Sequence, residues 1–347
     1  MEATRHNAEA GRVAVVTAGP GQLKIEPEEN PVPAAGEIVV EAIATGVCGS
    51  DVHLFVGDHP YSNYPLVQGH ETVGLVAELG AGVDPALQSA LVVVEPTLEC
   101  GSCPECARGA YNRCERLEVI GVQRTGSLAG RFVTRAGKAH RVPSASDAAG
   151  WALVEPVAVA CHAVERSGAE PGELVLVLGA GVIGLSVALA LSRREPRAVF
   201  VAEPSEQRRR RVEELGLGIA VDPDEVDALL AERAPSGADL VFEATGLPEV
   251  LGGAHHHVRP GGRIVVLGQG AGDFAMPMIV MTRKELTLVG TRNSAGQFPA
   301  AIELLSGSPE FVTSVITHRF HPSEAGQAFA ELTTPGTAAL KVLLEFA

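Results

Sequence analysis

Between residues 46 and 71 the chain gathers a thiol, an imidazole and a carboxylate: Cys48 in G-V-C-G-S-D-V-H, then His70 and Glu71 in P-L-V-Q-G-H-E. Sulfur, nitrogen and oxygen donors suit zinc, and a catalytic zinc takes three protein ligands while keeping one position open. Cys48 and His70 supply two of them. Glu71 is available as a third ligand or as a group bonded to one, and Glu155, in L-V-E-P, is a further candidate. Ser50 and His53 follow Cys48 closely. A hydroxyl beside the metal and then an imidazole are what a relay of an alcohol proton to solvent needs. Asp51 is placed to fix the tautomer of a metal-bound histidine through its other ring nitrogen.

A second cluster, Cys100, Cys103, Cys106 and Cys114, has the spacing C-x2-C-x2-C-x7-C. Four thiolates on a short loop close a tetrahedron around zinc and leave no open position, as in a structural site. Iron–sulfur motifs open similarly but continue with a three-residue gap and Cys-Pro. Here the gap is seven and Glu115 follows, which points to zinc. The sixth cysteine, Cys161, reads as a small buried hydrophobe.

The third constellation is G-A-G-V-I-G, with Gly179, Gly181 and Gly184 enclosing Val182 and Ile183. It follows the apolar run L-V-L-V-L and opens a helical run, the context that a dinucleotide-binding turn requires. Glu203 ends the next strand, where a carboxylate binds the adenosine ribose diol and repels a 2′-phosphate, favouring NAD over NADP. Arg208, in a run of four arginines, is a counter-signal that reads as a solvated helix face. Thr245 and Gly246, then Leu267 and Gly268, close later strands of the same pattern and are further cofactor candidates. Arg292 directly follows the sixth strand run, E-L-T-L-V-G-T, where ligand crevices of doubly wound sheets open. It is expected at the cofactor cleft, reading a substrate hydroxyl or carboxylate through two donors.

The elements that position these groups fall into two classes. Residues 1–155 are mostly short strands with Gly/Pro loops, a β-rich, partly closed domain. From Pro171 strands alternate with helical runs, which implies an open, doubly wound parallel sheet, so the fold class is α/β. After Gly290 two helical runs and two strands are expected to return to the first domain. The expected boundaries are 1–155 with 295–347 for one domain, carrying a zinc lobe at about 96–116, and 156–294 for the other. His255, His256 and His257 read as a helix end, because successive helical residues diverge by about 100° and cannot converge on one ion.

With 347 residues and 46% hydrophobic content, two cored domains are the natural expectation. The net charge of −15 disfavours nucleic-acid partners. No apolar run reaches the ~20 residues of a membrane span, and the first ten residues read as a loose leader without an export signal. A cytoplasmic protein with no membrane partner is expected.

C-G-S-D-V-H, G-H-E, the four-cysteine lobe, E-P and G-A-G-V-I-G occur in an order that resembles the zinc-dependent medium-chain dehydrogenases/reductases over nearly the whole chain. Glu71 after His70, Glu155-Pro156 and T-R-N-S-A-G-Q-F-P-A-A-I are most similar to the polyol, sugar-acid and cyclitol branch. The resemblance implies a GroES-like catalytic domain beside a Rossmann domain and two zinc ions per chain. Cys48 and His70 would ligate the catalytic ion, Glu71 and Glu155 directly or through water, and the four-cysteine lobe the structural one. It further implies Ser50 and His53 as the relay, NAD as cofactor, a polyol, sugar acid or cyclitol as substrate, and a homodimer or homotetramer. Two local departures bear on substrate choice rather than reaction class: Q-S-A-L-V-V-V-E-P where the family has G-D-R-V, and A-G-R-F-V-T-R where it has G-G-F-A-E-Y. Rival readings are a simple secondary-alcohol dehydrogenase, a zinc-free quinone reductase and a non-catalytic nucleotide-binding sensor.

Overall fold

The computed structural model describes residues 13–28, 30–143, 147–270, 272–334 and 336–346. The expected leader lies outside the described residues. The chain opens with β1 (Val13–Gly19), β2 (Gln22–Pro27) and β3 (Glu37–Val47), followed by α1 (Gly49–Val56), β4 (Leu66–Val67), β5 (Glu71–Leu79) and β6 (Leu91–Val94). The cysteine-rich lobe holds β7 (Thr97–Leu98), α2 (Pro104–Ala107) and β8 (Glu118–Val119), and β9 (Arg131–Arg135) and β10 (Ala139–Arg141) come after it. Then α3 (Val154–Ser167), β11 (Leu174–Leu178), α4 (Val182–Leu191), β12 (Ala198–Ala202), α5 (Glu206–Glu214), β13 (Ile219–Val221), α6 (Val226–Arg233) and β14 (Ala238–Glu243) alternate. The chain ends through α7 (Pro248–Gly253), β15 (Val258–Val266), α8 (Met278–Arg283), β16 (Thr287–Gly290), α9 (Phe298–Ser306), α10 (Pro309–Val315), β17 (Ile316–Phe320), α11 (Ala325–Thr333) and β18 (Lys341–Glu345).

Two compact units result, Met1–Glu155 with Leu305–Ala347, and Pro156–Leu304. In the first, β3 is central: it pairs antiparallel with β5, β9 and β18, in a sheet ordered β10-β6-β5-β3-β18-β17. The closing segment completes this unit's core, since Phe329, Val342 and Leu344 pack with Val15, Val47 and Leu128. Ile38 and Val40 of β3 instead join Val76, Val92 and Phe132. A side chain of this size gains ~1.5–3 kcal/mol by full burial, so β3 binds two clusters into one unit.

In the second unit six strands run in the order β13-β12-β11-β14-β15-β16, every pairing parallel. All five residues of β11 are buried, as expected of a strand covered on both faces. The order reverses between β11 and β14, so the crevice for a ligand opens at their carboxyl ends. No helix among the described residues is long and apolar enough to cross a membrane.

Candidate functional site

Cys48 follows β3 and caps the start of α1. Its backbone N–H donates to Asp51 Oδ2 at 2.9 Å, so the helix start and the thiol share one anchor. Asp51 is fully buried. Its other oxygen accepts from Gly69 N at 3.4 Å, and Gln68 Nε2 donates to its carbonyl at 2.7 Å. This web ties α1 to the turn that carries His70 and leads into β5 at Glu71. The two segments are thereby brought together: ligand atoms of Cys48, His70 and Glu71 all lie within 4.8 Å of one another.

His70 presents its two nitrogens to different partners. Nε2 lies 3.5 Å from Ser50 Oγ, and Nδ1 lies 3.6 Å from Asp51 Oδ1. The expected partnership of Asp51 with the second ring nitrogen is therefore a close approach of charges, because at 3.6 Å Nδ1 makes no hydrogen bond among the described residues. Burial pushes the Asp51 carboxyl up, but the His70 charge and the surrounding N–H groups outweigh it and hold the group below the usual range. For His70 burial acts downward, and Asp51 reverses it to a value well above normal.

His53, later on α1, is exposed, and its Nδ1 pairs with Asp58 Oδ1 at 2.9 Å. No hydrogen bond joins it to Ser50, so the two relay candidates sit on one helix without direct contact. Glu155 lies in the first turn of α3 and is not among the three groups whose ligand atoms converge. Burial raises its carboxyl to about 7, against the opposing charges of His70 and Lys341.

Sequence reasoning missed Lys341. This lysine of β18 is only 3% exposed, and its Nζ bonds both oxygens of Glu71, at 2.7 and 2.5 Å, and the Val47 carbonyl at 3.2 Å. Its one signal was a lysine inside the apolar run A-L-K-V-L-L.

In the lobe, Cys103 Sγ lies 3.5 Å from Cys106 Sγ and 3.9 Å from Cys114 Sγ, and the four sulfurs are mutually within 4.8 Å. A tetrahedron with ~2.3 Å zinc–sulfur bonds has sulfur–sulfur edges of ~3.8 Å. All six cysteines are free thiols. Both donor sets therefore fit zinc, one with mixed donors and one with four thiolates.

At the end of β11 Gly179 has φ +99°, a left-handed conformation that favours glycine. A Cβ on Gly184 would lie 1.9 Å from the Gly179 carbonyl, so only glycine lets the turn and helix approach this closely. Gly181 caps α4, and Val182 and Ile183 form its first turn, which leaves helix-terminal N–H groups for an anion. Glu203 is buried: Oε2 accepts from Ala180 N at 2.8 Å and Oε1 from Ser205 N at 3.0 Å. It thus braces the glycine turn as well as standing at the strand end. Arg208 lies on α5, its N–H bonded to the Ser205 cap at 3.4 Å. Thr245 and Gly246 follow β14, and Leu267 and Gly268 follow β15. Arg292 is exposed in the turn after β16. Beside it Asn293 Nδ2 and Ser294 Oγ are buried without hydrogen-bond partners among the described residues.

These features match known proteins. Residues 34–144 fit the alcohol dehydrogenase GroES-like domain family and residues 182–307 the zinc-binding dehydrogenase family. L-Galactonate-5-dehydrogenase of Escherichia coli K12 is 33% identical over 87% of this chain and 89% of its own length. This chain belongs to the zinc-binding alcohol dehydrogenase family. The expected medium-chain membership is therefore borne out, and with it the Rossmann and GroES-like fold. Among solved structures, the NADH complex of a short-chain alcohol dehydrogenase (rspB) from E. coli CFT073 superimposes with TM-score 0.89, at 30% identity, over 96% of this chain and 99% of that one. A zinc-binding dehydrogenase from Sinorhizobium meliloti 1021 bound to NADP gives 0.88 at 28% identity, over 96% and 98%.

Proposed function

We propose that this dehydrogenase oxidises a secondary alcohol of a polyol, sugar acid or cyclitol reversibly with NAD, using one catalytic and one structural zinc ion per chain. The observation that carries this reading is the convergence of Cys48, His70 and Glu71 within 4.8 Å, beside the Ser50 hydroxyl. Cys48 and His70 would hold the catalytic ion, with Glu71 or Glu155 completing it, and Cys100, Cys103, Cys106 and Cys114 the structural one. When bound, zinc supplies Lewis acidity toward a substrate oxygen, and the nicotinamide accepts the hydride.

The chain's own groups do the rest. Ser50 would take the alcohol proton while passing on its own, and His53, exposed on the same helix and paired with Asp58, would receive a proton through water and release it to solvent. Asp51 orients the His70 ring, and Lys341 holds Glu71. Glu203 is proposed to select NAD, because a buried carboxylate at that strand end repels a 2′-phosphate. The polyhydroxylated substrate is supported by the name of the galactonate relative and by Arg292, Asn293 and Ser294, a polar run after an apolar strand. We further propose a homo-oligomer joined through edge strand β16 and helix α8, where Met278 is 85% and Ile279 61% exposed.

The test is an NAD-reduction screen over hexitols, sugar acids, cyclitols and 2-propanol with the parent, Cys48→Ser and Arg292→Ala. Cys48→Ser should abolish turnover on every substrate. Arg292→Ala should lower kcat/KM on the best polyol by ~30-fold or more and spare 2-propanol. A parent that prefers 2-propanol sinks the polyol assignment, and full activity in Cys48→Ser sinks the zinc chemistry.

A further inference from the structure

Glu243, the last residue of β14, is 1% exposed and is not used by the chemistry above. Among the described residues no cation pairs with it. Instead Oε1 takes three donors from the turn that follows: Thr245 N at 2.6 Å, Thr245 Oγ1 at 2.5 Å and Gly246 N at 2.9 Å. Its backbone carbonyl accepts from Leu267 N at 3.0 Å and Gly268 N at 3.2 Å, the start of the turn after β15. One residue therefore joins two adjacent strand-end turns.

These turns stand at the point where the strand order reverses, and they reach across it. A Cβ on Gly179 would meet Thr245 Cγ2 at 2.9 Å, so the turn after β14 lies against the glycine turn after β11. A Cβ on Gly268 would lie 2.2 Å from Gly246 N and 2.6 Å from Glu243 Oε2, so the β15 turn closes over the same carboxylate. Burying a carboxylate without a cation is costly, and three donors converging on one oxygen offset that cost only in this turn geometry.

We propose that Glu243 is a positioning residue for the dinucleotide: its carboxylate holds the Thr245–Gly246 turn in the shape that forms one wall of the cofactor crevice. The inference rests on the reading of this unit as the dinucleotide-binding one. It assigns to a residue outside the glycine motif part of the preorganisation that would otherwise be lost on binding. A shorter side chain cannot reach the three donors, whereas glutamine keeps one acceptor oxygen at the same reach.

The experiment titrates NADH by fluorescence against the full-length zinc-loaded parent, Glu243→Ala, Glu243→Asp and Glu243→Gln, with melting temperature and zinc content recorded for each. The aspartate variant keeps the charge and withdraws it by one methylene, so it decides the matter if the alanine variant does not fold. Expected is a Kd for NADH raised about tenfold or more in the alanine and aspartate variants, recovery to within about threefold in the glutamine variant, and unchanged zinc. A Kd within twofold of the parent in Glu243→Asp, whatever its melting temperature, makes the residue merely structural and overturns the proposal. A parent that binds neither NADH nor NADPH overturns the dinucleotide reading itself, and this inference with it.

Discussion

Glu71 and Lys341 are 270 positions apart in the chain and form a buried ion pair at the edge of the candidate metal site. Such pairs contribute little compared with an apolar replacement of both members, but removing one partner leaves a buried charge. Burial lowers the Lys341 ammonium and Glu71 more than restores it, so the lysine stays charged. Lys341→Met should therefore cost ~3–5 kcal/mol in urea unfolding of protein from which mild chelation has removed only the exchangeable ion. Lys341→Met combined with Glu71→Gln should recover most of it. A single substitution costing less than ~1 kcal/mol would mean that the pair does not hold Glu71 in place.

The four-cysteine lobe is tied to its unit by a polar cluster on the neighbouring strands. Glu95, just after β6, is 4% exposed and accepts from Thr97 Oγ1 at 2.8 Å, with Lys138 Nζ at 3.5 Å and His140 Nε2 at 3.6 Å. Lys138 also pairs with Glu99 at 2.8 Å and lies 4.3 Å from the centre of the Tyr111 ring, within the lobe. Burial would raise the Glu95 carboxyl, but His140, Tyr111, Lys138 and Thr97 together bring it down from 4.5 to about 2. A carboxylate depressed on folding contributes stability that is present above its unfolded pKa and lost as the pH falls through the folded one. The window is therefore roughly pH 4.5 down to 2, and the contribution is about 3 kcal/mol. Glu95→Gln should be less stable than the parent at pH 7 by a comparable amount, and the gap should close near pH 2. A constant gap across that range would assign the loss to packing rather than charge.

Across the whole molecule, the two donor sets predict two zinc ions of unequal lability. Four thiolates would enclose one ion completely, whereas the mixed site would keep an exchangeable position. Mild chelation should remove one equivalent and abolish turnover while the far-ultraviolet circular dichroism stays unchanged. Cys100→Ser should instead lower the yield of folded protein. Full activity with one equivalent of zinc or none would contradict the two-site reading.

Local spacing determined much of this. C-x2-C-x2-C-x7-C needs only a short loop to converge, and the sulfurs do converge. G-A-G-V-I-G between an apolar strand and a helical run defines a turn whose sterics are set within six residues. The alternation of strands and helical runs was enough for a doubly wound sheet, because parallel pairing requires crossovers. Contacts between distant segments left no comparable trace. Glu71 and Glu155 were both ligand candidates in the sequence, and of the two tertiary packing brings only Glu71 within 4.8 Å of both Cys48 and His70. Lys341 read as part of a closing strand, and only the pairing of β18 with β3 delivers its ammonium to Glu71. Glu243 drew no notice in the sequence, and its three donors depend on the fold of a turn that no periodicity encodes. A short motif carries its own geometry in its spacing, whereas a buried partner is chosen by which strands pair, and that choice belongs to the cooperative packing of the whole chain.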